Sequence, residues 1–595
     1  MDGGISASAF LGVERSLCGK RWRQRPADAR AALALSQRHG LPEIVGRVLA
    51  ARGVPPEEAE RFLAPRLRDQ LPDPSRFRDM EKAAGRIAAA VMEGELVAVF
   101  GDYDVDGATS SALLERFLRS VGGRVRVYIP DRQKEGYGPN LPALLRLKEE
   151  GAAVAVTVDC GITAFEVLAK ATAAGLDMIV VDHHVAEPSL PQAFAVVNPN
   201  RLDEAPGFGN LAAVGVAFLL AVAVNRALRR AGWYVARPEP DLLALLDLVA
   251  LGTVADVVKL TGLNRALVAQ GLKVMQRRSN CGIAALADIG RVSGRLDAYA
   301  AGYILGPRVN AGGRVGESFL GARLLATDDP AEAAALAARL DGFNTERREI
   351  EAGVLAAAVE AVERETVSSP LVFVAGEGWH PGVIGIVASR LKERYNRPAC
   401  VVALENGTGK GSGRSVSGFE LGAAVIAARQ AGLLVNGGGH AMAAGFTVER
   451  DRIAALRDFL AARIEATLGT EPLVPELALD GAVAAGAATP ELVATLETLA
   501  PFGAGNAEPR FALPSVRVVR AEVVGGAHVR AVLADAAGAA RVNAIAFRCL
   551  ETPLGPALLQ GAGTAFHVAG TLRADRWNGE TRVQLCLEDA APAFG

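Results

Sequence analysis

The sequence predicts an α/β protein with three parts in order. These are a parallel-sheet domain, a smaller α/β domain reached through a long connector helix, and a C-terminal β-barrel. Three observations carry this reading. First, "LVAVF" (96–100), "VRVYIP" (125–130), "VAVTVD" (154–159) and "MIVVD" (178–182) are short, β-branched, nearly all-apolar runs separated by helix-like stretches. Alternation of that kind is the pattern of βαβ units around a buried parallel sheet. Second, "PAEAAALAARLDGFNTERREIEAGVLAAAVEAVERE" (330–365) has no strand signal, and "LVFVAG" (371–376) and "ACVVAL" (399–404) follow it around another helical stretch. Third, the chain after 470 turns into alternating apolar and polar runs such as "HVRAVLADA" and "TRVQLCLED". These suit a small barrel, of which the oligonucleotide-binding type is one option.

Taken along the chain, residues 1–75 are expected to form an N-terminal helical segment and 76–325 the sheet domain. Residues 326–366 would be the connector, 367–470 the second α/β domain and 471–595 the barrel. A chain of 595 residues is too long for one core, and domains of roughly 100–200 residues imply three or four. The net charge of −2 gives no global basic field, so a polyanion would have to be held by local clusters or metal ions. Six cysteines without a CxxC pair argue against a zinc site or a disulfide framework and fit a reducing compartment. No signal-peptide core is evident near Glu14 and Arg15. The apolar run 211–224 is shorter than the ~20 residues of a bilayer span and reads as a buried helix. A cytoplasmic protein is expected.

In open α/β sheets, ligands sit beyond the carboxyl ends of the strands. "GDYDVDG" follows the first strand, with Asp102, Asp104 and Asp106. Asp159 ends the third, and Asp182, His183 and His184 end the fourth. Further on, "LGTVADVV" places Asp256 after small residues. Single aspartates at such points commonly cap helices or mark turns. Four separate element ends all carrying them, with a histidine pair, indicate a cluster that divalent cations would neutralise. Carboxylates with imidazole suit Mn²⁺ or Mg²⁺. Two such ions, typically about 3.5–4 Å apart, drive phosphoester hydrolysis.

"DYDVDG", "VDCGI", "VVDHH" and "GTVADVV", in this order, resemble the four motifs of the DHH phosphoesterase superfamily. "LGPRVNAGGRVGE" (305–317) and "GSGRSV…NGGGHAMAAG" (411–445) are similar to its branch of single-strand-specific 5′→3′ exonucleases, from about residue 20 to the end. That branch more often shows Phe-Gly-Gly-His where this chain has "NGGGH", and the Gly-Gly-His core is intact. The resemblance implies a DHH domain, a DHH-associated domain and an OB-type barrel. It implies a two-metal centre loaded with Mn²⁺ or Mg²⁺. Asp104 would ligate one ion, Asp106, His183 and Asp256 the other, and Asp159 both. Asp102 is either a further ligand or an orienting group. Asp182 would fix the turn or a histidine tautomer, and His184 would contact the scissile phosphate. The implied substrate is single-stranded DNA, cut from its 5′ end to mononucleotides in recombination and repair. A monomer is expected, working beside a single-strand-binding protein and a RecQ-type helicase.

The second α/β domain adds anion chemistry. "GKGSGRS" (409–415) interleaves glycines with Ser412 and Arg414, and a guanidinium grips phosphate bidentately. His440 in "NGGGH" is a further donor, and Arg308, Asn310 and Arg314 form a Gly-punctuated group. For Arg308, a structural role pairing domains weighs equally with DNA contact. Trp379 and His380 read as packing residues. In the barrel, Trp577 beside Arg573 and Arg576 is a candidate base-stacking platform. It would also fit a hairpin turning at Asn578-Gly579. Two other functions stay open: a DHH phosphodiesterase for short oligonucleotides or cyclic dinucleotides, and a non-catalytic DHH scaffold. Intact acidic motifs disfavour the scaffold, and the connector and barrel favour the exonuclease.

Overall fold

The computed structural model describes residues 8–132, 134–364, 369–471, 473–577 and 580–593. The chain divides into two compact units. One comprises 1–309, 318–337 and 476–595, the other 310–317 and 338–475.

The first unit holds a five-stranded, all-parallel sheet. Its spatial order is Arg124–Tyr128, Leu96–Gly101, Ala152–Val158, Asp177–Val181, Ala195–Val197. The three inner strands are buried almost throughout, as their unbroken apolar runs require once helices cover both faces. In chain order the strands lie 2-1-3-4-5, so the winding reverses between Leu96–Gly101 and Ala152–Val158. That reversal opens a crevice at the carboxyl ends of those two strands, where Asp102 and Asp159 follow.

Helices close the crevice. Ala213–Arg230 is buried along most of its length, as the 211–224 run suggested. Leu246–Ala255 is apolar apart from Asp247 and Thr253 and is buried from Leu246 to Thr253. It crosses the helix Val105–Ser120 closely at Gly252, where a Cβ would sit 2.3 Å from Thr109 Oγ1 and 3.1 Å from Asp106 Oδ1. Only glycine permits this approach, which delivers Asp256 to the site one turn later.

The barrel belongs to the same unit. Phe511–Val524, His528–Ala534, Arg541–Ala546, Glu580–Pro592 and Ala565–Trp577 pair in that order, and the last pairs back onto the first. Five strands therefore close on themselves, leaving no free edge. The N-terminal region is not helical throughout. Helices cover Ala29–His39, Glu43–Ala51 and Ala59–Leu63, but Arg21–Gln24 is a strand paired in parallel with Glu476–Leu479. Trp22 on that strand is fully buried and donates through Nε1 to Asp589 at 3.0 Å. Arg52 meets buried Asp480 at 2.7 Å.

The second unit has a five-stranded sheet in the order Asn436–His440, Ala443–Glu449, Thr408–Arg414, Ala399–Glu405, Val372–Glu377. It is antiparallel except for its last pair. A 35-residue helix, Pro330–Arg364, begins in the first unit and continues into the second. Among the described residues, no helix is long and apolar enough to cross a membrane.

Candidate active site

Each predicted acidic residue occupies an element end, and each is held differently. Asp104 is the N-cap of Val105–Ser120, accepting from the Gly107 amide at 3.0 Å. The capping and metal-site readings of this residue are thus compatible, since one bond leaves the other oxygen available. Asp106, in the first turn of that helix, is fully buried and accepts from the amides of Ala213 (2.6 Å) and Val214 (2.9 Å). The helix Ala213–Arg230 has no side-chain cap of its own at Ala212, so Asp106 serves as one from 107 residues away. Its negative charge faces the positive helix end. Asp159 takes a left-handed conformation (φ 61°) directly after its strand, a rare state for a non-glycine residue. Its amide donates to the Val181 carbonyl at 3.1 Å, which keeps this strained residue joined to the sheet.

The histidine pair is set by hydrogen bonds at its outer nitrogens. His183 Nδ1 lies 3.0 Å from the Leu211 carbonyl, which can only accept, so Nε2 presents its lone pair inward. That Nε2 stands 3.3 Å from Asp159, 3.8 Å from Asp256 and 3.9 Å from Asp106. His184 Nδ1 lies 2.7 Å from buried Asp182. Asp182 also takes the amides of Ile162, His183 and His184, so its oxygens are occupied.

Three groups emerge whose ligand atoms lie within 4.8 Å of one another: Asp102, Asp104 and Asp159; Asp106, His183 and Asp256; and Asp159, His183 and His184. Asp159 joins the first and the third. Asp102 Oδ1, Asp159 Oδ1 and Asp256 Oδ2 are buried and lack a hydrogen-bond partner among the described residues. Buried acceptors left unmet are costly. Burial, then the neighbouring carboxylates, pushes Asp102, Asp106 and Asp159 well above the usual carboxylate range. Burial and Asp104 push Asp256 up to about 7. Burial would raise Asp182 too, but the hydrogen bond and charge of His184 outweigh it and hold Asp182 low. Burial depresses His183, whereas in His184 the Asp182 partner overcomes burial and raises the ring. Unmet hard oxygens with one imidazole fit a pair of Mn²⁺ or Mg²⁺ ions, and poorly fit zinc, which favours sulfur and nitrogen.

The remaining predicted residues belong to none of these three groups. Arg308 is in the first unit, donating to the Ile304 carbonyl at 2.7 Å. Asn310 and Arg314 fall in the second, where Arg314 donates to the Gly382 carbonyl at 3.1 Å. Ser412 and Arg414 share a face of Thr408–Arg414, with Arg414 Nη1 3.2 Å from Ser412 Oγ. Arg414 is half-buried with no carboxylate partner among the described residues, and burial lowers its pKa. His440 is exposed at the end of Asn436–His440. The side chain of Trp577 and the Asn578-Gly579 turn lie outside the described residues. Arg573 makes a two-pronged pair with Glu508 at 2.9 and 2.6 Å, so it is not the free cation a stacking platform would want.

Sequence reasoning missed several supporting groups. Asn198 donates to the His184 carbonyl at 2.9 Å, and Asn200 donates to that of His183. Both sit in "NPN" just past the fifth strand, so the rule that located the aspartates would have located them too. Tyr137 donates to the Asp159 carbonyl at 3.2 Å and meets the His184 ring edge-on at 6.2 Å. Nothing in its local sequence signals this.

Family models match the chain in three consecutive stretches: "DHH family, N-terminal domain" over 96–253, "DHHA1 domain" over 366–466 and "RecJ OB domain" over 479–589. The single-stranded-DNA-specific exonuclease RecJ of Dickeya dadantii is 37% identical over 565 residues, covering 93% of this chain and 96% of that protein. The chain belongs to the RecJ family. Solved RecJ structures from Thermus thermophilus agree. The complex with Mn²⁺ has a TM-score of 0.79 at 30% identity, covering 97% of this chain and 80% of that one. The complex with Mg²⁺ has a TM-score of 0.72 at 29% identity, covering 97% and 79%.

Proposed function

We propose that this RecJ-family chain is a metal-dependent exonuclease that hydrolyses single-stranded DNA from the 5′ end to mononucleotides. The observation that carries the reading is the convergence of unmet carboxylate oxygens and the His183 Nε2 on one crevice. Two divalent cations, Mn²⁺ or Mg²⁺, supply phosphate polarisation and a hydroxide nucleophile when bound. Asp102 and Asp104 would hold one ion, Asp106, His183 and Asp256 the other, and Asp159 would reach both. His184 has its Nδ1 on Asp182, whose hydrogen bond and charge favour the protonated ring, and as an imidazolium it would donate from Nε2 to a non-bridging phosphate oxygen. Ser412 and Arg414 would grip a terminal phosphate, and Arg308, Asn310, Arg314 and His440 would contact the strand backbone. Trp577 is proposed to stack on a base.

The chain would act as a cytoplasmic monomer in recombination and repair, with a single-strand-binding protein and a RecQ-type helicase exposing its substrate. The test incubates the protein with 5′- and 3′-labelled single strands with and without Mn²⁺. Early release of labelled mononucleotide from the 5′-labelled strand alone supports the reading. Early release from the 3′ label would reverse the polarity and remove the role given to Arg414.

A further inference from the structure

Asp106 and Asp182 are fixed by hydrogen bonds to their carboxylates, but among the described residues none reaches the carboxylate of Asp256. Its position rests on backbone alone, so what holds that backbone matters. Asp256 ends its helix with its amide on the Gly252 carbonyl at 2.9 Å. Val257 follows in the left-handed region (φ 61°), which a β-branched residue rarely adopts, so this turn must be held from outside.

We infer that the loop 500–506, which leads into the barrel, is a positioning element for the metal centre: it anchors the segment after Asp256 and so sets that ligand against Asp106 and His183. The inference rests on the reading of Asp256 as a ligand. Leu260, four residues on, is buried and donates its amide to the Ala504 carbonyl at 2.8 Å. Gly503 packs against it so tightly that a Cβ would sit 2.7 Å from Leu260 Cδ1. On the other side, Asn264 donates to the carbonyls of Lys259 (3.1 Å) and Asn210. Asn210 directly precedes Leu211, whose carbonyl orients His183, and Ala213 and Val214, whose amides hold Asp106. The backbone carrying Asp256 is therefore clamped between the barrel loop and the stretch that fixes Asp106 and His183.

The loop is itself held firmly. Buried Asn506 donates to the carbonyls of Leu499 (2.8 Å) and Pro501 (2.9 Å). Arg265 is buried to 2% exposure with no carboxylate partner among the described residues. It donates instead to the carbonyls of Leu499 (2.9 Å), Ala500 (2.8 Å) and Phe62 (2.9 Å), with its guanidinium over the Phe62 ring at 3.8 Å. A buried cation without a counter-charge is costly to keep, and what it gains here is a fixed set of carbonyls, of which those of Leu499, Ala500 and Pro501 are at or beside the loop.

The test counts Mn²⁺ ions bound to the full chain by electron paramagnetic resonance of the free ion, in wild type, Gly503→Val, Leu260→Ala and Asp256→Ala. Gly503→Val overpacks the contact and Leu260→Ala empties it, so a folding failure in one leaves the other to be read. Each is expected to retain one site at wild-type affinity and weaken the second tenfold or more. In parallel, kcat on a trinucleotide should fall with KM little changed. Two undiminished sites in folded Gly503→Val or Leu260→Ala, beside a lost site in Asp256→Ala, would overturn the inference and leave the ligand reading standing. Two undiminished sites in Asp256→Ala would overturn the ligand reading itself.

Discussion

His184 Nδ1 lies 2.7 Å from an Asp182 carboxylate that is fully buried and already takes three backbone amides. The aspartate of the Asp-His-His run is therefore spent on holding the turn and one ring. It belongs to none of the three candidate ligand groups.

Asp182→Asn is expected to bind Mn²⁺ with unchanged stoichiometry and to lose roughly 10–100-fold in kcat, the usual cost of removing a partner behind a ligand or donor. Asp182 raises the His184 pKa against burial, so its loss lowers that pKa. If His184 donates to phosphate as imidazolium, activity in the variant declines at a lower pH on the alkaline side. A pH–rate profile and a metal titration check both. A missing ion would make Asp182 a ligand.

Arg414→Ala is expected to lose on the order of ten- to a hundredfold in kcat/KM on 5′-phosphorylated strands, about 1.5–3 kcal/mol for a charge-assisted contact. The loss on 5′-hydroxyl strands should be much smaller, because a terminal monoester carries extra charge for the guanidinium to meet. Equal losses on both would make Arg414 a general strand-holding residue.

Asp247→Asn offers a pH test away from the metal cluster. Asp247 is buried on the helix Leu246–Ala255, and burial raises its pKa to about 6. A raised carboxylate pKa means full stability below the unfolded-state value, near 4, and loss as pH rises through about 6. The asparagine variant escapes that loss. Relative to its effect at pH 4, it should gain on the order of 1–3 kcal/mol at pH 8. Denaturant unfolding at both pH values checks this, and a gain of equal size at pH 4 would remove the ionisation argument.

Deleting residues from 476 onward is expected to abolish cleavage of trinucleotides and long strands alike. The truncation removes the partner strand of Arg21–Gln24, the acceptor of buried Trp22 and the Leu499 and Ala500 carbonyls that Arg265 donates to. Thermal unfolding should show a destabilised first unit. Retained turnover on a trinucleotide would show the barrel to be dispensable for the catalytic core.

The parallel sheet and the acidic cluster were legible because their signals are local. All-apolar strands, glycines and terminal aspartates sit within a few residues of one another, and the crevice rule converts strand ends into a site. What stayed hidden depends on partners far away in sequence. Arg21–Gln24 is a strand because Glu476–Leu479 lies beside it. Asp106 caps a helix that begins 107 residues later. Asp256 was legible as a ligand type, while its support from Ala504 and Gly503 arises only once the barrel is folded. The pairing of Arg573 with Glu508 was equally invisible, since "RADRWNG" alone reads as exposed cations beside an aromatic.

The measurement closest to the central claim follows a 5′-labelled single strand with wild type and Asp159→Ala, in Mn²⁺, Mg²⁺, Ca²⁺ and excess chelator. Asp159 belongs to two of the three ligand groups, so losing it removes nucleophile generation and phosphate clamping together. Expected are labelled mononucleotides in Mn²⁺ or Mg²⁺, little in Ca²⁺ with its looser coordination, none in chelator, and none from a folded Asp159→Ala in any metal. Undiminished hydrolysis in chelator, or an Asp159→Ala variant that keeps more than a small fraction of the wild-type rate, would contradict a two-metal exonuclease centred on this residue.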